Sequence, residues 1–275
     1  MSILANHFLG QLIQRFLAHE VPGLAAQLSF YFILAIFPFF IFSFSLLAYL
    51  PISTEEVLRF LSQYVPREAL PVLETNLRSV LDVKRGELLS LGFIVTLWSS
   101  SNGSWAIMHA LNRAYDVAEK RSFIHARLVS FFLTFSMAIA LAIALLLPVF
   151  GKWIGYWLFS LLGFTEAFLK VWSLLRWLIS FAVILVIFAY LYFVAPNKKL
   201  SLDEVWPGAL FATLGWHLVS YLFSYYVSNF GNFSATYGSL GGIIILLFWF
   251  YLSGIILILG GEINALLQLK RQKPS

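Results

Sequence analysis

Six long apolar stretches organise the chain, separated by short polar connections and one longer polar segment. They run from about Leu24 to Leu50, Leu88 to Leu111, Leu128 to Phe150, Leu174 to Ala195, Trp206 to Val227 and Leu240 to Leu267. Each reaches the roughly 20 mostly apolar residues that a helix needs to cross a bilayer. The runs are unbroken, where a membrane barrel strand would alternate over about 10 residues, so the pattern predicts helices. Ahead of them, Phe8, Leu9, Leu12, Ile13, Phe16 and Leu17 recur at helical spacing, with Gln11, Gln14 and Arg15 on the other face. This reads as an amphipathic helix within residues 1–23, lying in the membrane interface or packed on the bundle. The longer polar segment, 51–87, opens with a capping box, Ser53 to Glu56. Apolar stripes follow at Val57, Leu58, Phe60, Leu61 and Tyr64, and, beyond Pro66, at Leu70, Leu73, Leu77, Val80 and Leu81. Two helices are expected there, as a lid or as a passive cap. The expected fold is all-α: one integral membrane domain, 1–275, a polytopic bundle of six transmembrane helices with an N-terminal interfacial helix and a two-helix extracytoplasmic loop.

Composition sharpens this. Of the 275 residues 60% are hydrophobic, and only 31 are charged. A soluble domain carries about 25% charged residues, so this one would expose large apolar patches. The chain has no cysteine, which excludes thiolate metal sites and cysteine nucleophiles. The net charge of +5 is too small and too dispersed to argue for nucleic acid. An even number of spans puts both termini on one side. Ten of the eighteen Lys and Arg residues fall on that side, in short dense clusters at 113–127, 198–199 and 270–273, plus Arg15. Five of the other eight share the 51–87 loop with six acids. Both termini are therefore expected in the cytoplasm.

Polar residues inside apolar runs carry the functional signal, because lipid offers them no hydrogen-bond partner. The second run contains Trp98-Ser99-Ser100-Ser101-Asn102-Gly103-Ser104-Trp105, followed on the same face by His109, Asn112 and Arg113. Such residues build either a broken-helix solute site or close helix packing, and both readings stand. The fifth run carries His217, Ser220, Tyr221, Ser224 and Ser228 as one helical stripe, expected to face the bundle interior. Between the fifth and sixth runs, 229–242 is uncharged and rich in Gly, Asn and Ser, so Tyr237 and Gly238 are expected to dip into the bundle. Gly238 and Gly242 have the spacing that admits a close helix neighbour. Glu262 is one of few acids in an apolar run, expected to form a structural ion pair with Arg113 or Arg121, or to serve as a proton site.

Several of these segments resemble the YihY/BrkB family of bacterial inner-membrane proteins. They are Ala25-Ala26-Gln27-Leu28-Ser29-Phe30-Tyr31 with Phe37-Pro38, Ala110-Leu111-Asn112-Arg113-Ala114-Tyr115 and Arg121-Ser122-Phe123. Further along are Val194-Ala195-Pro196-Asn197, Trp206-Pro207-Gly208-Ala209, Ala235-Thr236-Tyr237-Gly238-Ser239-Leu240-Gly241 and Leu259-Gly260-Gly261-Glu262-Ile263-Asn264. The resemblance follows the chain in order over nearly its whole length. It implies six spans in a bacterial cytoplasmic membrane and no settled activity, since members carry the labels virulence factor and ribonuclease BN. Metal-dependent RNA cleavage needs clustered His, Asp and Glu. The five histidines here, at 7, 19, 109, 125 and 217, show no such spacing.

The expected function is that of a transporter-like inner-membrane protein handling an amphiphilic or anionic solute. Its path would be lined by Ser101, Asn102, His109, Asn112, His217, Ser220, Tyr221, Ser224 and Tyr237. Asn102 and His217 should then approach across a shared interior. The alternative is a non-transporting membrane protein that organises envelope lipids or a protein complex. Neither an enzyme, a cofactor nor a metal is expected. The expected partners are the lipid bilayer and a small solute or lipid, without nucleic acid; a homo-oligomer is left open.

Overall fold

This computed structural model describes residues 8–47, 86–139, 165–230 and 241–272. All regular elements among them are helices: α1 (Phe8–Ala18), α2 (Val21–Leu47), α3 (Gly86–Ala114), α4 (Phe123–Ile139), α5 (Thr165–Val194), α6 (Leu202–Phe230) and α7 (Gly241–Gln272). Each apolar run overlaps one of these helices; of the first run the described residues reach Leu47 and of the third Ile139. The expected loop helices between Ser53 and Asp82, together with Tyr237 and Gly238, lie outside the described residues. Val21–Phe39 and Gly241–Arg271 combine the length and apolarity of a membrane crossing. Phe123–Ile139 is apolar and 17 residues long, about 25 Å at 1.5 Å per residue.

The chain forms two compact units, one of residues 1–30 and 104–275, the other of 31–103. Within the second, Gly103 faces the Phe32 ring, and Phe42 packs against Phe93 with ring centroids 5.4 Å apart.

In the first unit α7 is the hub, and glycines explain why. A Cβ built at Gly208 on α6 would stand 2.1 Å from the Gly260 carbonyl oxygen on α7, and one at Gly260 would stand 2.2 Å from the Tyr192 hydroxyl on α5. Gly261 meets Leu111 of α3 in the same way, and Gly254 lies against Ala25 of α2. No larger residue fits where α6 and α7 touch backbone to backbone. The Asn264 side chain completes this contact. Its Oδ1 accepts the Gly208 N–H at 2.6 Å, and its Nδ2 donates to the Val205 carbonyl at 3.1 Å. The Tyr192 hydroxyl, on α5, donates to the Leu257 carbonyl. At Gly242 nothing among the described residues would meet a Cβ within 4 Å; Gly238, the other half of the expected packing pair, lies outside them.

Helix α1 packs on α7 with its charged side inward. Leu9, Ile13 and Leu17, one stripe at i, i+4 and i+8, are exposed instead. Two non-glycine residues with left-handed backbone end the flanking helices: Glu20 (φ 54°) after α1 and Asp116 (φ 53°) after α3. At Asp116 the Val117 N–H bonds to the Asn112 carbonyl and the Asp116 N–H to the Arg113 carbonyl, a Schellman closure in which glycine is the usual residue. Aspartate at this position brings a carboxylate back onto α1, where Arg15 meets it.

Candidate functional site

A polar junction sits where α1, the C-terminal end of α3, the connections at 115–122 and 195–201, and the C-terminal half of α7 come together. At its centre Glu262 is fully buried, 0% exposed. An isolated buried carboxylate would be very costly. Here it belongs to a closed ring of four side chains. Arg15 Nε donates to Glu262 Oε2 at 2.6 Å, and His19 Nδ1 meets Oε1 at 2.6 Å. On the other side His19 Nε2 lies 3.3 Å from Asp116 Oδ1, and Arg15 Nη2 donates to Asp116 Oδ2 at 2.9 Å. All four carboxylate oxygens are engaged. Arg15 Nη2 also donates to the Ala114 carbonyl at the end of α3. The left-handed turn at Asp116 is what aims its carboxylate into the ring.

The ion pair of Glu262 is therefore with Arg15 and His19, which corrects the expected pairing with Arg113. Arg113 is exposed and donates instead to the Ala18 carbonyl at 3.3 Å. Arg121, the other expected partner, donates to the Ala195 and Pro196 carbonyls at 3.2 and 2.9 Å. The reason is reach: α1 packs on α7 and brings Arg15 and His19 onto Glu262, while the Arg113 guanidinium is taken up by the Ala18 carbonyl at the end of α1.

A second seam joins the two connections. Asn112 is buried; its Oδ1 accepts the Asn197 N–H at 2.6 Å, and its Nδ2 donates to Glu119 at 2.8 Å. Asn197 Nδ2 donates to the Ala118 carbonyl. Lys198 reaches Gln268 of α7 at 2.6 Å and lies over the Tyr115 ring. Burial pushes the Tyr115 phenol above its ordinary range. At the start of α6 the Ser201 N–H donates to Glu204 at 2.8 Å and the Glu204 N–H to the Ser201 carbonyl, so Glu204 is held below the usual carboxylate range, chiefly by the backbone bond from Ser201. Asp203 is likewise lowered, first by its hydrogen bond with Ser201.

Beside the ring opens a cavity of about 560 Å³, lined by His19, Glu20, Gly23, Leu24, Gln27, His109 and Arg113. His109 stacks on Trp105, with ring centroids 5.7 Å apart. No acid forms an ion pair with Arg113 among the described residues, so its charge faces this opening.

His217, Ser220, Tyr221 and Ser224 do not line this cavity. Helix α3 is continuous through the Ser/Asn/Gly run. Ser101 is buried and bonds to the Trp98 carbonyl of its own helix, while Ser104 pairs with Thr134 of α4 at 2.7 Å. Asn102 belongs to the 31–103 unit and His217 to the other. His217 Nδ1 meets the Thr213 carbonyl, with Trp216 and Phe181 around the ring, and Ser220 accepts the Trp249 indole N–H at 3.1 Å. Tyr221 is 70% exposed and Ser224 is also exposed, so this stripe does not turn inward as a whole. Among the described residues no group of three or more His, Asp or Glu could hold a metal ion. In the ring, Arg15 and His19 already occupy the carboxylate oxygens.

Sequence reasoning misses Arg15, His19 and Asp116 as site residues, and Asn264 as the α6–α7 clasp. For Glu204 a signal exists, the Ser-x-x-Glu capping box at Ser201. For Arg15 it is the one cation in an otherwise apolar and amide-bearing helix.

A family model described as virulence factor BrkB matches residues 12–275. The ribonuclease-like protein YfkH of Bacillus subtilis is 53% identical over 97% of either chain. A UPF0761 membrane protein of Actinobacillus pleuropneumoniae is 26% identical over 97% of this chain and 95% of its own. Another, from Chlorobium phaeobacteroides, is 27% identical over 86% of this chain and 52% of that longer relative. No solved structure matches.

Proposed function

The chain belongs to the virulence factor BrkB family, whose UPF0761 relatives are membrane proteins, and from this premise we propose a transporter-like role for it in the bacterial inner membrane. In this reading six helices cross the bilayer, both termini are cytoplasmic, and α1 lies in the interface with Leu9, Ile13 and Leu17 toward lipid. The solute is an anionic or amphiphilic molecule that enters beside α2 and α3 at the cytoplasmic end. No bond is made or broken.

One observation carries the reading: the cavity that holds His109 and an Arg113 guanidinium which, among the described residues, pairs with no carboxylate, not even that of Glu20 on the same wall. A cation at a membrane mouth, not bonded to a carboxylate, favours a negative group. The Arg15–Glu262–His19–Asp116 ring forms the adjoining wall and keeps α1 over it.

The test is ligand-induced stabilisation of the purified protein in detergent. A short-chain alkyl phosphate should raise the melting temperature, and the matching alkyl trimethylammonium should not. Arg113→Gln should abolish the rise. Equal shifts with both amphiphiles, or an unchanged shift in Arg113→Gln, would contradict an anion site here.

A further inference from the structure

A second opening lies at the C-terminal end of α5 and the connections beside it. It measures about 520 Å³ and is lined by Arg121, Phe193, Val194, Pro196, Asn197, Lys198, Lys199 and Leu200. Three of these are cations and none is an acid. Val194 also lines a neighbouring apolar groove of about 560 Å³, bounded by Ser122, Ile124, His125, Leu128, Val129 and Phe132. Ile124, Leu128 and Phe132 are exposed, along one face of α4. A basic pocket thus continues directly into an apolar channel.

We infer that this composite groove binds one anionic phospholipid of the surrounding bilayer, with its phosphate among Arg121, Lys198 and Lys199 and an acyl chain along α4. The inference rests on the proposed embedding, which puts the 115–122 and 195–201 connections at the cytoplasmic surface. It does not depend on the solute cavity beside His109.

The geometry discriminates among occupants. A soluble anion would use the cations and leave the α4 groove uncovered. A zwitterionic lipid would fill the groove but gain little from a lining of three cations whose one neighbouring acid, Glu119, is already bonded. An anionic lipid satisfies both. The pocket is also prebuilt, because the Ala195 and Pro196 carbonyls hold the Arg121 guanidinium in place. Nearby Glu119 bonds to Asn112 and to the Arg121 N–H, and its Oε2 also lies 3.8 Å from Arg121 Nη1, so it offsets part of one of the three charges and leaves the two lysines uncompensated by it. Lys198 is partly engaged by Gln268, whereas Lys199 is exposed and has no bonded partner among the described residues. Basic pockets between helices on the cytoplasmic side are a recognised mode of anionic headgroup binding.

The chain has no cysteine, so Ser122→Cys gives a single attachment point for a fluorophore in the groove. The full-length protein is placed in nanodiscs of phosphatidylcholine with an equal small fraction of brominated phosphatidylglycerol or brominated phosphatidylcholine. The brominated phosphatidylglycerol should quench more strongly. Lys199→Gln should reduce that preference by about fivefold, the worth of one surface cation, and Lys199→Arg should keep it. Lys199 is exposed, so the variant is expected to fold, and an unchanged melting temperature checks this. Equal quenching by the two lipids, or a preference untouched in Lys199→Gln, overturns the inference and leaves the embedding intact. Loss of the preference on adding inorganic phosphate also overturns it, in favour of a soluble anion. Quenching by neither lipid overturns the inference and the embedding together.

Discussion

Arg15 and Glu262 lie 247 residues apart along the chain and 2.6 Å apart in the folded molecule. Their contact ties the first helix to the last, and it makes a buried carboxylate tolerable. Removing one partner of such a pair leaves an uncompensated charge, at a cost of about 3–5 kcal/mol. Arg15→Ala should therefore lower the melting temperature in detergent sharply. Arg15→Met combined with Glu262→Leu should be less damaging than Arg15→Ala alone, because no orphan charge remains. A double variant as unstable as the sum of its singles would argue that ring and packing are independent.

The second prediction concerns the α6–α7 crossing. Gly208→Ala puts a methyl group into the Gly260 backbone, and Gly260→Ala puts one into Tyr192. Overpacking of this kind costs about 1–3 kcal/mol or more, since backbone cannot yield as a side chain can. Both variants should lose folded yield in size-exclusion profiles. Gly242→Ala, with open space around it, should behave as wild type.

Much of this architecture is legible in the sequence, and the limit is instructive. Apolar runs mark the described helices α2 to α7, because length and hydropathy are local properties. The motif residues Asn112, Arg121, Asn197, Gly208, Glu262 and Asn264 are also visible, but only as separate short segments. Their convergence at one junction depends on helix crossings set by Gly208, Gly254, Gly260 and Gly261, and glycine spacing alone does not name its partner helix. The ring escapes the sequence for a related reason. Arg15 reads as part of the polar face of a helix that lies in the interface or packs on the bundle, whereas it turns into the protein and Leu9, Ile13 and Leu17 point out.

Acid should weaken the start of α6. Glu204 has its folded-state pKa held below the ordinary 4.5, so its stabilising contribution is present above that value and is lost as pH falls through the folded pKa. Glu204→Ala should cost about 1 kcal/mol at neutral pH, the usual worth of a helix cap. Melting temperatures of wild type and Glu204→Ala should converge as the pH drops below that ordinary value. A constant gap down to low pH would show that the carboxylate charge plays no part.

Topology provides a fourth check. Reporter fusions at Ser275 and within residues 55–87 should report opposite sides of the membrane, with Ser275 in the cytoplasm. A periplasmic C-terminus would reverse the assignment of both basic pockets.

The most direct measurement is thiol accessibility at the cavity beside His109. Gln27→Cys supplies one thiol on its wall in an otherwise cysteine-free chain. In inside-out membrane vesicles, where the cytoplasmic face is outermost, a small charged thiol reagent should label this introduced thiol readily. An alkyl phosphate should slow that labelling, and Arg113→Gln should remove the protection. If the Gln27→Cys variant stays unreactive while a cysteine placed in the 115–122 connection reacts, the cavity is closed to water and the solute-handling account is contradicted.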